Sequence, residues 1–495
     1  MAEASKPAAA CTLVIFGAMG DLTKRLLMPA LYNLAEMTLL DPAFKIIGID
    51  RLESSSDAWG KSLSETMQSF TKDETAEFYT DKIDETAWHW ITSRLHYQKG
   101  DFASGQTFSE LAKQLHGNVI FYFAIAARFF GPVAEQLGKA GLLKETQGAF
   151  RRLVIEKPFG HDLPSAQALD QQLLHIARED QLYRIDHFMG KEMVQNIFAL
   201  RFANGMFEPV WSAAHIDHVQ IMAAETLGVE GRGGFYEGTG AMRDMVPNHL
   251  FSLLAMTTME HPGAYTPDAV HSARAKAIAA IKPIPPEHAV RGQYTGGSVL
   301  GQKVQAYRSS PNVHPDSTTE TYVALRLSIE NERWRGVPFY VRTGKCLASR
   351  HTRVSIYFKQ SAQPVFGTTG DAARGRNVLR IEIEPKEAVE FDINVKRLGV
   401  QPALTMTDMQ FRYEDHFPTP SRVGYETLFY GAMMGDSTLF QRADNIESAW
   451  AAVQPVLAAW QHDNTSLVTY AAGSEGPDAA NALIARDGRA WDRLA

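Results

Sequence analysis

Between Tyr183 and Glu192 the chain reads YRIDHFMGKE, which crowds an acid, an imidazole and an amine into one short stretch as Asp186, His187 and Lys191. Gly190 allows a turn there, and a helix opening at Lys191 would aim its positive end at the same spot. A phosphomonoester would be held well by such a group. A second stretch, TLVIFGAMGDLTKR from Thr12 to Arg25, reads as an apolar strand, a turn with Gly17 and Gly20, and a helix carrying Leu22, Leu26, Leu27 and Leu34. Glycine lets backbone approach a pyrophosphate closely, and the free N–H groups of the following helix favour its charge. The spacing Gly17-x-x-Gly20 departs from G-x-G-x-x-G, and two glycines taken alone are just a turn. Lys24 and Arg25 strengthen the reading: cations in a first helical turn oppose the dipole at about 0.3–1 kcal/mol each, a cost that a nearby phosphate reverses. Pro29, inside the apolar pattern, predicts a bend or restart. The next strand pattern ends in Asp50-Arg51. An acid at that strand end binds the ribose hydroxyls of NAD, whereas an arginine accommodates the 2′-phosphate of NADP, so Arg51 points to NADP and Asp50 leaves NAD open.

These groups need elements to hold them. The first third of the chain alternates short apolar runs with amphipathic segments, the pattern of β-α-β units around a parallel sheet, with strands expected at Thr12–Phe16, Lys45–Ile49, Val119–Phe123 and Leu153–Ile155. From about Asp186 the texture changes to period two, as in Val323, Leu325, Leu327 and Ile329, then Val354, Ile356 and Phe358, then Leu379, Ile381 and Ile383. Those read as antiparallel strands with one buried face. Helices are expected at Lys191–Phe202 and Met245–Met256. The fold class is therefore an α/β Rossmann-like N-terminal domain, residues 1–183, and a larger α+β C-terminal domain with a mainly antiparallel sheet, residues 184–495. No internal repeat or long linker separates them, so one shared cleft is expected.

A chain of 495 residues is too long for one ordinary core, which agrees with two domains. The formal net charge of −7 is modest for this size and gives no support to a nucleic-acid or anionic-membrane surface. Only Cys11 and Cys346 are present, too few and too far apart for a disulfide framework or metal cluster, so no metal is expected. The first residues lack the charged, apolar and cleavage regions of a signal peptide, and no apolar run is long enough to span a bilayer. A cytoplasmic location is the expectation.

The YRIDHFMGKE segment resembles the R-I-D-H-Y-L-G-K-E signature of the glucose-6-phosphate dehydrogenase family, with Phe188 and Met189 as departures. GAMGDLTKR is similar to that family's G-A-S-G-D-L-x-x-R turn, and VIEKPFG at Val154–Gly160 to its E-K-P-F-G. QNIFALRFANGMFEP, EGRGGFYEGTGAMRDMVPNHL, RGQY, TTETYVAL and GVPFYVRTGK continue the likeness in family order, from about Leu13 to Glu387. The resemblance implies oxidation of C1 of glucose 6-phosphate to a lactone, with hydride transfer to NADP. It implies His249 as the base that takes the C1 hydroxyl proton and Asp186 as the group that orients it. It implies His187 and Lys191 around the substrate phosphate, with Glu225, Asp244, Lys345 and Arg350 around the sugar. Lys157 would stand where sugar and nicotinamide meet. Gly17, Ala18, Gly20, Asp21, Leu22, Lys24 and Arg51 would hold the dinucleotide. A homodimer or homotetramer built on the second domain's sheet is the family expectation.

Three departures qualify the match. Phe188 removes a hydroxyl near the phosphate, Ala124-Ile125-Ala126-Ala127 lacks the family's paired prolines, and Arg350 stands where lysine or arginine occurs. Two rival functions are another nicotinamide-dependent sugar oxidoreductase, which would lack the phosphate trap of Asp186, His187 and Lys191, and a non-catalytic NADP-binding sensor. A sensor needs none of Lys157, Asp186, Lys191 and His249 together.

Overall fold

The computed structural model describes residues 6–72, 76–146, 148–360, 375–400, 403–417, 422–463 and 465–494. The first sheet has six strands: β1 (Cys11–Phe16), β2 (Lys45–Asp50), β3 (Leu95–Lys99), β4 (Asn118–Phe123), β5 (Arg151–Ile155) and β6 (Leu182–Arg184). All neighbours are parallel, in the order β3-β2-β1-β4-β5-β6. That is the doubly wound dinucleotide-binding order, whose reversal between β1 and β4 opens a crevice at the strands' C-terminal ends. Continuous apolar runs such as CTLVIF and NVIFYF suit strands covered on both faces, and every residue of β1 is buried. Sequence patterning passed over β3, whose LHYQK is a mixed edge strand, and β6, which is only three residues long.

The second part carries β7 (Ile216–Ala224), β8 (Ala289–Thr295), a small hairpin of β9 (Gly297–Val299) and β10 (Gln302–Val304), β11 (Tyr322–Ser328), β12 (Pro338–Gly344), β13 (His351–Phe358), β14 (Val378–Glu384), β15 (Ala388–Lys396), β16 (Leu404–Arg412) and β17 (Leu467–Ala471). Nine of these form one sheet in the order β16-β15-β14-β13-β7-β12-β11-β8-β17. It is mostly antiparallel, with parallel pairs β7–β12 and β8–β17.

Two helices are interrupted for identifiable reasons, the first at the proline where a bend or restart is expected. The first helix opens as a wide π turn over Thr23–Leu27 and restarts as an α-helix at Met28–Glu36, with Pro29 in its first turn. The stretch expected at Met245–Met256 is the end of a helix Gly233–Met245, a π segment Val246–Leu250 and an α-helix Phe251–Thr258. Pro247 has no N–H to give the Arg243 carbonyl; the Asn248 side chain donates to that carbonyl instead, at 3.1 Å.

One continuous apolar layer, from Val14 and Phe121 through Met242 and Leu254 to Val323, Ile356 and Val453, packs one face of each sheet against shared helices. The sheets are thereby set in fixed relation. A second layer covers the other face of the first sheet, and there the helix Tyr425–Met434 packs on Tyr122, Val154 and Tyr183. The chain thus returns to its first sheet near its end.

Candidate active site

Both sheets offer one edge to the same cleft. From the first sheet come the residues just past parallel strand ends: Gly17 after β1, Lys157 after β5 and Asp186 after β6. From the second come Glu225 after β7, Lys345 after the parallel β12, Arg350 just before β13, and Glu384 at the end of β14. Antiparallel register pairs His351 with Ala224 and Thr352 with Glu384, which brings these ends level.

His249 lies at the centre, in the wide π turn. Its Nδ1 meets Asp186 Oδ1 at 2.5 Å, and Ser252, one helical turn on, donates its hydroxyl to Asp186 Oδ2 at 2.5 Å. The Phe188 N–H also donates to Oδ1, at 3.0 Å. Asp186 is therefore surrounded by donors, so the His249 proton sits on Nδ1 and leaves Nε2 as the basic nitrogen. Nε2 is buried and has no hydrogen-bond partner. Burial works to raise the Asp186 carboxyl pKa. The charge and hydrogen bond of His249, with His187 and Ser252, outweigh burial and hold Asp186 well below the usual carboxylate range. The His249 pKa is pushed below its ordinary value by burial first and then by the Lys157 cation, against the pull of Asp186. An imidazole so placed is neutral and ready to accept a proton at neutral pH.

Around this dyad the expected polar residues occur in ion pairs. Lys157 Nζ contacts Asp244 Oδ1 at 2.9 Å, and Lys345 Nζ contacts Glu225 Oε2 at 2.7 Å. Burial raises the Asp244 pKa, but Lys157 and Lys345 outweigh it and keep the group ionised. Lys191 pairs with Glu384 Oε1, and Arg350 Nη2 reaches the same oxygen at 2.9 Å. His187 packs edge-on to His249, with ring centres 4.6 Å apart; burial and then the His249 charge push its pKa well below the imidazole value. A neutral His187 thus has an N–H to offer rather than a charge.

Phe188 is 5% exposed and stacks on His249, with ring centres 4.2 Å apart and planes 12° from parallel, while Lys191 Nζ lies 4.5 Å from its ring centre. The departure from tyrosine therefore falls between the His249 ring and the Lys191 cation. Gly190 is required where it stands, because a Cβ there would lie 1.8 Å from the Gly424 carbonyl oxygen.

On the dinucleotide side, Gly17 has φ +91°, and a Cβ on it would sit 2.2 Å from the Ala124 carbonyl oxygen; only glycine can make this turn. Ala18 N–H and Gly17 N–H bond the Ile49 carbonyl, and the Asp50 carboxylate accepts the Met19 N–H at 3.1 Å. Asp50 thus braces the turn, while Arg51 beside it is exposed. Gly20, Asp21 and Leu22 lead into the helix, and Lys24 and Asp21 also line a surface crevice against Thr66 and Ser69. Ala126 has φ −63° and ψ 141°, the backbone that a proline would impose, so the turn after β4 keeps that shape without one. A tight glycine turn, a helix N-terminus and an exposed arginine at the next strand end fit a dinucleotide carrying a 2′-phosphate.

Sequence reasoning missed Glu384, Ser252, Gln441 and Tyr425. Ser252 follows His249 by three residues, a spacing that puts both on one helical face, and was a legible signal. Gln441 donates to Ser252 Oγ at 2.7 Å, and the Tyr425 ring lies parallel to that of His187 at 6.2 Å. Nothing local in the sequence marks either of these.

Residues 14–196 match the family model described as glucose-6-phosphate dehydrogenase, NAD binding domain, and residues 198–492 match its C-terminal domain. The chain is 41% identical to glucose-6-phosphate 1-dehydrogenase of Aggregatibacter actinomycetemcomitans, over 98% of this chain and 97% of that one. Its fold is similar to a solved glucose-6-phosphate dehydrogenase in complex with glucose 6-phosphate, with TM-score 0.86, 31% identity and full coverage of both chains. It is also similar to the Mycobacterium avium enzyme, with TM-score 0.83, 34% identity, and 98% and 99% coverage.

Proposed function

The chain belongs to the glucose-6-phosphate dehydrogenase family, and from that premise we propose that it oxidises C1 of glucose 6-phosphate to the lactone with NADP, through His249. The observation that carries this reading is the buried Nε2 of His249, without a partner and backed by Asp186. Nε2 takes the proton of the C1 hydroxyl, and the Asp186 carboxylate stabilises the imidazolium that forms. Lys157, beside His249 and paired with Asp244, places positive charge where the C1 oxygen gains electron density. His187, Lys191 and Arg350 hold the phosphate, and Glu225 and Asp244 accept sugar hydroxyls. NADP, when bound, supplies the ring that accepts the hydride. Gly17, Ala18, Gly20 and the helix start cradle its pyrophosphate, and Arg51 meets its 2′-phosphate. Because Asp50 is engaged with the turn, the reading favours NADP, with NAD as a second acceptor.

A homo-oligomer formed through the outer strands of the second sheet belongs to the same reading. Every residue of β16 after Leu404 is exposed, including Met406, Met409 and Phe411, which suits an outer strand covered by a second copy. A cytoplasmic location accords with two free, buried thiols, and among the described residues no helix is long and apolar enough to cross a membrane. The test is to follow reduction of NADP and of NAD with glucose 6-phosphate and with glucose. Glucose 6-phosphate with NADP should be the strongly preferred pair; equal use of glucose would sink the proposal.

A further inference from the structure

A small cavity lies against Asp186, with Asn248, Ser252, Gln441 and Asn445 as its other polar walls. It has room for about one water molecule. Asn445 is 1% exposed, and neither its Oδ1 nor its Nδ2 has a hydrogen-bond partner. A buried amide with both ends unmade is costly, and native proteins satisfy such groups. The segment that delivers it is held firmly. His271 Nε2 bonds the Ser437 carbonyl at 2.7 Å, Arg274 donates to the Phe440 carbonyl at 3.0 Å, and Gln441 N–H donates to the Arg184 carbonyl at 2.9 Å. Asn445 then enters in the first turn of the helix Ala443–His462.

The hydrogen-bond direction toward Asp186 is also set from this side. Gln441 Nε2 can only donate to Ser252 Oγ, so the Ser252 hydroxyl turns its own proton onto Asp186 Oδ2. A carboxylate oxygen that accepts one such bond can accept another, and Asp186 is one of the cavity's walls. We propose that the cavity is a site for one ordered water, held by the Asn445 amide and donating to Asp186, and that Asn445, Gln441 and Ser252 are positioning residues for the Asp186–His249 pair. The proposal rests on the assignment of that pair as the proton-abstracting group. Each donor on Asp186 draws negative charge away from its bond to His249, so losing one makes His249 more basic. The other charged and titratable groups that face the pair are Lys157, Asp244, His187, Arg274 and Tyr425, and no substitution at residue 445 removes any of them.

Two measurements on the full-length enzyme decide the matter. A high-resolution crystal structure should show a water bonded to Asn445 and Asp186. Asn445→Leu, which keeps the branched shape but replaces both polar ends of the amide with methyl groups and so removes the water's holder, should move the acid limb of the kcat/KM profile up by about 0.5 pH unit or more, with KM for glucose 6-phosphate within about twofold. Asn445→Ala leaves space for solvent against Asp186 and should restore the wild-type limb. A dry cavity, or a folded leucine variant with an unmoved limb, overturns the proposal. Should the leucine variant fail to fold, the crystal structure decides alone. Full activity in His249→Asn would instead remove the premise, a result separate from either measurement.

Discussion

The two sides of the cleft are built from different parts of the chain. On the dinucleotide side the turn Gly17–Gly20 presents backbone, braced by the Asp50 carboxylate and the Ile49 carbonyl, and Arg51 is the exposed cation beside it. On the side that we propose takes the sugar phosphate, the groups are side chains already paired with one another: Lys157 with Asp244, Lys345 with Glu225, and Lys191 and Arg350 with Glu384. A backbone cradle needs one glycine at the right φ and a helix start, all local in sequence. A paired cluster needs partners from distant segments, since an unpaired charge at such depth costs several kcal/mol. It follows that changes on the sugar side should disturb chemistry or substrate binding without touching the nucleotide, and changes on the other side the reverse.

The largest break in that comparison should come from His249→Asn. We expect kcat to fall by about 10²–10⁴, the usual contribution of a positioned base, with NADP affinity little changed. Steady-state kinetics beside calorimetric NADP binding check this, and an unchanged kcat in the folded variant removes His249 from the chemistry. Next in size, Lys191→Ala should raise KM for glucose 6-phosphate by about 10- to 150-fold, since a charge-assisted contact to phosphate is worth about 1.5–3 kcal/mol. Preference for glucose 6-phosphate over glucose should shrink with it; full retention would move the phosphate site elsewhere.

From the other side of the cleft, Arg51→Ala should raise KM for NADP by about tenfold and leave that for NAD nearly unaltered, because only NADP presents a 2′-phosphate. Equal losses with both would make Arg51 structural and erase the contrast. Phe188→Tyr should lower KM for glucose 6-phosphate by about two- to tenfold with kcat little changed, the span of one net hydrogen bond made equally in ground and transition states. A fall in kcat instead would show that stacking on His249 outweighs the restored hydroxyl. The smallest effect is expected from pH on the alkaline side. Burial and Lys157 hold the His249 pKa below its ordinary value of about 6.5. The base is therefore unprotonated from about pH 7 to 8, where kcat/KM should be flat, and activity should decline only as pH falls through the lowered pKa. An acid limb above pH 7 would contradict the direction of that shift.

The contrast between the two sides also explains how much could be read in advance. The glycine turn, four of the six parallel strands and the strand-end arginine were legible because backbone geometry and apolar runs are local properties of a few adjacent residues. The family signature around Asp186, with the RDMVPNHL segment, marked the dyad before any contact was seen, and the structure brings Asp186 and His249 to 2.5 Å. Strand β16 escaped notice because LTMTDMQFR mixes polar and apolar residues on both faces, whereas β15 carried a legible period-two signal in Val389, Phe391, Ile393 and Val395 that went unread. In the stretch that lacks the family's paired prolines, Ala126 still takes the φ that a proline would impose, a backbone property that residue type alone did not reveal.

By itself, then, the sequence determined the groups available: an imidazole, a carboxylate, a set of cations and a glycine turn opening a helix. Only the tertiary structure decided how those groups are supported. Glu384 reaches Lys191 across 193 residues, Gln441 reaches Ser252 across 189, and Asn445 joins them from the same late segment. The reason is physical. A buried polar group takes its partner from whatever the fold packs against it, and that packing is set by the shared apolar layer between the sheets, where no local pattern announces which side chains will meet.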